Sequence, residues 1–437
     1  MRRAIDVDYD VSIVGAGPAG LMAAKRAAEH GLKVFLIEKR KNIANVTRAC
    51  CQHFIMDEDY EKEGIKVDGE KIIFPHNDFE VNYKGPLSPI IDKYYISPKG
   101  HEIHFAYSDR RPIAYKFNKG ILLEGLLSEC ITLGVEFRLD TLASHAQEIE
   151  GGVLLKTVGE GKKFRITSKK LVIADGVNSR ITHALGFNKG RKYFTRAFAL
   201  IYELEKVKDF NTSFWRAFYG RSYGSKVPVL MGPSNHGEGV MEILLGGDKT
   251  LLPEQIYKFV TTKSPIAYMF GKSKAIGRRG CSLKAYASLK NPCRGNIVVI
   301  GDAAAYVEVQ TQGALMCGYH AGDAVYKELM GEKGFDHYTK WWQESFEFNG
   351  EEALSVAQGY ALVPTYTEDE LDYLFSLAEG KTLEGTWSQY KTPKLMWNCF
   401  LKHKGRIARE KPNLYKKITS LDEMSLEDTY NVELRQS

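Results

Sequence analysis

The run Asp10-Val11-Ser12-Ile13-Val14-Gly15-Ala16-Gly17-Pro18-Ala19-Gly20 constrains this chain more than any other feature. Val11 to Val14 is an apolar stretch of strand length. Gly15, Gly17 and Gly20 stand in the spacing G-x-G-x-x-G, and Leu21 to His30 carries the Ala, Leu, Met and Lys of a helix. A strand that enters a helix through such a turn is built to hold a dinucleotide. The first glycine permits the tight turn, the second lets backbone approach the pyrophosphate, and the third lets helix and strand pack closely, so the helix N-terminus faces the phosphates. Pro18 and Ala19 lie inside the same turn and are counted with the glycines as cofactor-binding. Gly31 ends the helix and Lys33 to Ile37 forms the next strand. Glu38 then stands 18 positions after Gly20, where a carboxylate accepts from a ribose diol and repels a 2′-phosphate. Lys39 is placed in the same contact set.

At 437 residues the chain calls for two or three domains, and its 44% hydrophobic content suits a globular enzyme. No apolar stretch reaches membrane-spanning length, and the first strand begins too early to leave room for a signal peptide, so a cytoplasmic protein is expected. Cysteines 50, 51, 130, 281, 293, 317 and 399 are odd in number and scattered, which fits a reduced compartment. None has zinc spacing, and no metal site is expected. The net charge of +6 is matched by the segment 395–418 alone, where seven Lys and Arg face the single acid Glu410. Leu395, Met396, Trp397, Cys399, Phe400 and Leu401 precede that cluster. It is read either as a solvated helix face or as a peripheral contact with an anionic membrane surface or a phosphorylated substrate. Nucleic acid is not expected, since no binding motif accompanies the charge.

Further along, residues 66–115 read as short strands and turns, Ile121 to Leu133 as a helix, and 142–174 as two or three strands ending in Ala174-Asp175-Gly176. Residues 193–245 alternate as a separate, aromatic-rich sheet. Asn296 to Ile300 is a late apolar strand running into Gly301-Asp302-Ala303-Ala304. A helix is expected over about 313–330, with mostly helical pattern from 337 to the end.

Three signals in this order, G-x-G-x-x-G, Asp175-Gly176 and Gly301-Asp302, resemble flavoproteins similar to p-hydroxybenzoate hydroxylase, and among them the geranylgeranyl reductase family. The resemblance implies a mixed α/β protein: a discontinuous Rossmann-type FAD-binding domain over 1–190 and 276–336 with a βαβ start, an inserted antiparallel sheet over 191–275 that holds substrate, and a mainly helical region over 337–437. It also implies that Asp302 lies by the ribityl or pyrophosphate of FAD, with the following helix aimed at the isoalloxazine. There a helix dipole favours negative charge on reduced flavin. Arg48 with Cys50 or Cys51 falls where those reductases carry an Arg-Cys pair, and the residues do not choose between the two thiols. His236-Gly237-Glu238-Gly239-Val240 resembles the glycine-rich turn of their substrate sheet.

Departures from the family are specific. Lys119 or a neighbour replaces the Arg that opens the FAD-contacting helix, which keeps the charge but loses bidentate geometry. After Gly-Asp-Ala, where the family shows Asp-Pro and three glycines, this chain has Glu308-Val309-Gln310-Thr311-Gln312-Gly313-Ala314. Only Gly313, with Ala314 beside it, keeps the cofactor-facing pattern. The substrate strand reads Pro228-Val229-Leu230-Met231-Gly232-Pro233 and lacks the family's large rings. The expected activity is reduction of C=C bonds in a small apolar substrate, isoprenoid among the candidates. Hydride comes from flavin N5, and a proton from water, Cys50, Cys51 or a nearby side chain. Electrons would come from NAD(P)H or a ferredoxin-like protein, since no second G-x-G-x-x-G follows. Two alternatives stay open: a monooxygenase acting on an aromatic or alkene, and a flavin-bearing membrane-docking protein with little turnover.

Overall fold

The strand Tyr9–Val14 lies in the middle of a parallel sheet, between Val34–Ile37 and the last residues of Lys162–Ile173, in a computed structural model that describes residues 7–306, 308–350 and 366–419. Val34 to Ile37 is buried throughout, as a continuous apolar run must be when both faces of a parallel sheet are covered. Glu136–Arg138 extends the sheet beyond it, and Ile297–Val299 pairs in parallel on the far side of Lys162–Ile173. The first half of Lys162–Ile173 instead pairs antiparallel with Gly152–Gly159, which pairs with Thr141–Ile149. Three strands therefore fill the region expected to hold two or three.

The helix Pro18–Glu29 starts directly on the glycine turn, with proline at a position where no backbone N–H is missed. Its Ala19, Ala23, Ala24 and Ala27 are buried, and it packs against the helix Gln310–Leu329. That contact needs glycine on the later helix. A Cβ at Gly318 would lie 2.3 Å from the Ala19 carbonyl oxygen, and one at Gly322 would lie 2.6 Å from Arg26 Cβ. The two cofactor-bearing segments, nearly 300 residues apart, are thereby locked together.

The second sheet runs in the order Lys274–Tyr286, Tyr193–Glu205, Met241–Gly247, Val229–Pro233, Phe214–Phe218, Asp92–Ile96, Glu102–Ala106, Thr382–Glu384. Its strands extend past the expected boundaries 191–275 on both sides. Phe214–Phe218 takes Asp92–Ile96 as a parallel neighbour, and Glu102–Ala106 takes Thr382–Glu384, so the ladder is completed by segments distant in sequence. Short runs such as Thr382–Glu384 carry no period of their own, and only pairing makes them strands.

Over the described residues 366–419 the regular structure is helical apart from that one strand, with helices Glu368–Ser376, Lys391–Leu401, Lys404–Glu410 and Pro412–Thr419. Of the apolar side chains over 395–401 that could have met a membrane, three are turned inward, while Leu401 is exposed. Met396, Cys399 and Phe400 are buried with Tyr95, Phe105 and Phe375 in a core between these helices and the second sheet. Among the described residues no helix is long and apolar enough to cross a membrane.

Candidate active site

At the nucleotide end, the three glycines divide their work visibly. Gly15 has φ +104°, and a Cβ there would lie 2.5 Å from the Ala174 carbonyl oxygen; at Gly20 it would lie 1.8 Å from the Gly15 carbonyl oxygen. Both positions are closed by the fold itself. A Cβ at Gly17 would meet nothing within 4 Å, so this glycine leaves open space at the start of the helix, where a pyrophosphate can approach the backbone.

Glu38 is buried and accepts from the Ala16 N–H at 2.7 Å and from the Arg40 N–H and Nε at 2.9 and 3.0 Å. Burial opposes its charge, yet Arg40 and these donors hold the carboxyl below its ordinary range. The cation resting on Glu38 is Arg40; Lys39, expected in the cofactor's contact set, has an exposed side chain. Beside them opens a cavity of about 590 Å³ lined by Arg40, Asn42, Ile43, Asn45, Thr47 and Leu127.

In the middle, Gly176 turns with φ +84°. The Asp175 Oδ1 next to it is buried without a hydrogen-bond partner, and burial pushes that carboxyl up to about 6. A buried polar atom without a partner is costly, and a ligand hydroxyl would relieve it.

The third signal closes on the first two through Arg48. Its guanidinium lies 2.9 Å from Asp302 Oδ2, and 3.4 Å from the place a Gly176 Cβ would occupy. Asp302 Oδ1 accepts from the Val309 N–H at 3.0 Å, which ties the loop into the start of the helix Gln310–Leu329. Gly301, at φ +62°, passes 3.3 Å from Ala19 Cβ in the same measure. Gly313 and Ala314 sit in that helix's first turn. A Cβ at Gly313 would lie 2.9 Å from the Phe346 ring, so packing is enough to require this glycine.

The structure separates the two thiols that the sequence left together. Cys50 Sγ lies 3.7 Å from Lys119 Nζ, at the head of the helix Lys119–Thr132, which Asn118 Oδ1 caps by accepting from Gly120 and Ile121. Cys51 packs instead with Ile90, Ile113 and Trp215, and burial pushes its thiol far above the ordinary range. Arg48, Cys50 and Lys119 thus share one place, and the Cys51 thiol beside them lies against the apolar cluster.

Several site residues escaped the sequence reading. Gln52, at φ +54° and fully buried, accepts from the Lys119 N–H at 2.6 Å, while its side-chain amide meets His236 Nε2 at 3.1 Å. His236 stands 3.1 Å from Arg279, which donates to Glu203 and, at 2.7 Å, to Glu242; Lys116 completes the chain on Glu242 and on the Cys51 carbonyl. Ligand atoms of Glu203, His236 and Glu242 lie within 4.8 Å of one another, as in a metal site. Here Arg279 and Lys116 already neutralise both carboxylates, so the cluster is an ion-pair network that fixes the loop 50–53 to the second sheet. The glycine-rich turn at 236–240 was one visible sign of it. Glu203, Glu242 and Arg279 on the inner face of apolar strands were another.

The FAD binding domain family matches residues 8–235. The digeranylgeranylglycerophospholipid reductase of Methanosarcina acetivorans is 26% identical over 77% of this chain and 81% of its own length. That of Methanocaldococcus jannaschii is 25% identical over 88% and 94%. A geranylgeranyl bacteriochlorophyll reductase-like protein of Thermoplasma acidophilum, 18% identical, superposes with a TM-score of 0.69 over 94% of this chain and 99% of that one, which shows the shared fold. The residues present fit the cofactor: open backbone at Gly17, a buried carboxylate at Glu38, an Asp175 Oδ1 without a partner, and the Arg48–Asp302 pair.

Proposed function

The chain belongs to the FAD binding domain family, and we propose that it is a reductase of the C=C bonds in isoprenoid lipid chains. FAD, once reduced, supplies the hydride. The protein's residues supply the rest. Glu38, Gly17 and the helix N-terminus after it hold the adenosine and pyrophosphate, Asp175 meets a hydroxyl, and Arg48 with Asp302 fixes the reactive end. Lys119 and Cys50 stand where the acceptor must lie, and Cys50 is the better placed of the two thiols to face it.

One observation carries this reading: Arg48 joins Asp302, Gly176 and the Cys50 loop at a single point, beside an apolar strand face. In the register of Tyr193–Glu205 with Lys274–Tyr286, Ala197, Ala199 and Leu283 share the face of Cys281, and the Arg279–Glu203 pair bounds this apolar stretch at one end. Small side chains there leave room for a chain that needs no polar partner, and a dry pocket protects a hydride from water. The monooxygenase and low-turnover readings have no such support, whereas the curated relatives are reductases.

An electron donor must reload the site, and NAD(P)H and a ferredoxin-like protein both suit it. Contact with an anionic lipid surface would use the exposed Lys402, Lys404, Arg409, Lys411 and Lys416. Since Met396, Cys399 and Phe400 are buried and only Leu401 among the neighbouring apolar residues is exposed, this contact is mainly electrostatic and weakens with salt. The test is anaerobic mixing of the reduced holoprotein with a geranylgeranyl-chain phospholipid. Flavin reoxidation with a gain of two hydrogens per double bond is expected. Oxidation only by oxygen together with an aromatic compound overturns the reading, and reduction by NADPH or by reduced ferredoxin identifies the donor.

A further inference from the structure

We propose that Glu308 is the side chain that holds and delivers the proton of the reduction, an inference that rests on the alkene-reductase reading. Glu308 lies between two fixed points. Upstream, Asp302 is anchored by Arg48; downstream, Gln310 begins the helix Gln310–Leu329 in a left-handed conformation, φ +58°. A non-glycine residue rarely adopts that backbone, and here it serves a purpose: the Gln310 side-chain amide donates to Glu308 Oε1 at 2.7 Å. The carboxyl of the half-buried Glu308 is thereby held in one orientation.

The groups around it are Asp302 on its own loop, Arg48 and Cys51 on the loop before residue 53, Lys119 heading its helix, Cys281 on the second sheet, and the Tyr60 and Tyr390 hydroxyls. Burial, and then Asp302, raise the Glu308 carboxyl above its ordinary range, against the pull of Arg48 and Lys119. A carboxylic acid displaced toward neutrality is a competent general acid. Cys51 and Cys281 are not, because burial holds both thiols above their ordinary range.

The balance is simple. One alkene carbon takes the hydride, with its two electrons, from the reduced cofactor. The adjacent carbon forms its C–H bond with the proton from Glu308, whose O–H bond breaks. The carboxylate left behind is reprotonated from solvent.

The experiment compares wild-type, Glu308→Gln, Glu308→Asp and Gln310→Gly holoproteins; the last suits the left-handed backbone and removes only the donor. We expect Glu308→Gln to bind FAD and accept electrons as the wild type does. Its single-turnover oxidation by the lipid alkene should slow by about 100-fold or more, with partial recovery in Glu308→Asp. Gln310→Gly, having lost a donor to the carboxylate, should move the upper limb of the pH profile to higher pH. Infrared difference spectra of the holoprotein give a readout independent of turnover: a carboxyl band that titrates above the ordinary carboxylate range and is absent in Glu308→Gln. An unchanged oxidation rate and pH profile in Glu308→Gln overturns the proposal. So does the lack of that carboxyl signal in the wild type, whether or not any alkene proves to be a substrate. Failure of every alkene with the wild type instead sinks the reductase reading itself.

Discussion

Arg48 and Asp302 form a 2.9 Å ion pair between residues that 254 positions separate, and it is the point where the segment after Val34–Ile37 meets the loop after Ile297–Val299. Arg48 is about one third exposed and Asp302 one fifth, so water screens the pair and its worth to folding is small. Its value lies in placement.

Arg48→Lys should therefore leave thermal stability within about 1 kcal/mol of wild type and weaken the bound cofactor, because an ammonium cannot reach Asp302 and the Gly176 turn with one planar group. Unfolding midpoints of the apoprotein, set beside FAD titration, check both halves. An equal loss in the two would mean that the pair is structural.

The glycines separate fold from ligand in the same way. Gly20→Ala drives a Cβ into the Gly15 carbonyl, backbone against backbone, and should cost several kcal/mol or abolish folding. Gly17→Ala meets no protein atom within 4 Å and should melt like wild type, or slightly higher. Its FAD affinity should nonetheless fall by about tenfold or more, since the methyl occupies space where the pyrophosphate approaches. Unimpaired FAD binding in Gly17→Ala would show that the phosphates lie elsewhere.

This division was half legible in the sequence. The glycine run, Glu38, Asp175-Gly176 and Gly301-Asp302 announced themselves because phosphate and ribose recognition uses local backbone geometry, which leaves a local pattern. The apolar strands and the helix beginning at Lys119 were legible for the same reason, as periodicity. What the sequence could not display was pairing at a distance. Thr382–Glu384 becomes a strand only beside Glu102–Ala106. Cys50 and Cys51 become different residues only when Lys119 arrives beside one and Trp215 beside the other. Arg40 reaches Glu38 only through a two-residue return of the backbone, which spacing from Gly20 does not display.

Glu61 gives a pH dependence with a definite sign. It is buried, accepts from the Glu347 N–H at 2.7 Å, and burial followed by repulsion from Glu347 raises its carboxyl from 4.5 to about 8. The folded state therefore binds a proton that the unfolded chain releases above pH 4.5. Stability is full below that value and declines until about pH 8, by up to about 1.4 kcal/mol per pH unit. Glu61→Gln keeps the acceptor oxygen without the titration. Urea midpoints at about pH 5.5 and about pH 8.5 should fall for wild type and stay nearly level for the variant, which should be the more stable of the two at the higher pH. Parallel slopes would place the titration in another group.

The network Lys116–Glu242–Arg279 should respond oppositely to acid. Glu242 and Lys116 are almost fully buried and Arg279 nearly so. Burial favours the neutral carboxyl of Glu242, but Lys116 and then Arg279 outweigh it and hold it below the usual range. The stabilisation is present above pH 4.5, the unfolded value, and is lost as pH falls through the lower folded one. Breaking the pair at one end, as in Glu242→Gln, leaves two buried cations short of an anion and should cost about 3–5 kcal/mol. Lys116→Met leaves Glu242 still bonded to Arg279 and should cost less. Lys116→Met removes a tether of the loop 50–53, the 2.6 Å bond from Lys116 to the Cys51 carbonyl, and Glu242→Gln loosens the hold on Lys116 and on Arg279, which His236 bridges to Gln52. Hydrogen exchange at residues 50–53 should accelerate in each, and FAD should bind more weakly in proportion. Faster exchange with undiminished FAD affinity would mean that this loop is held for folding and not for the cofactor.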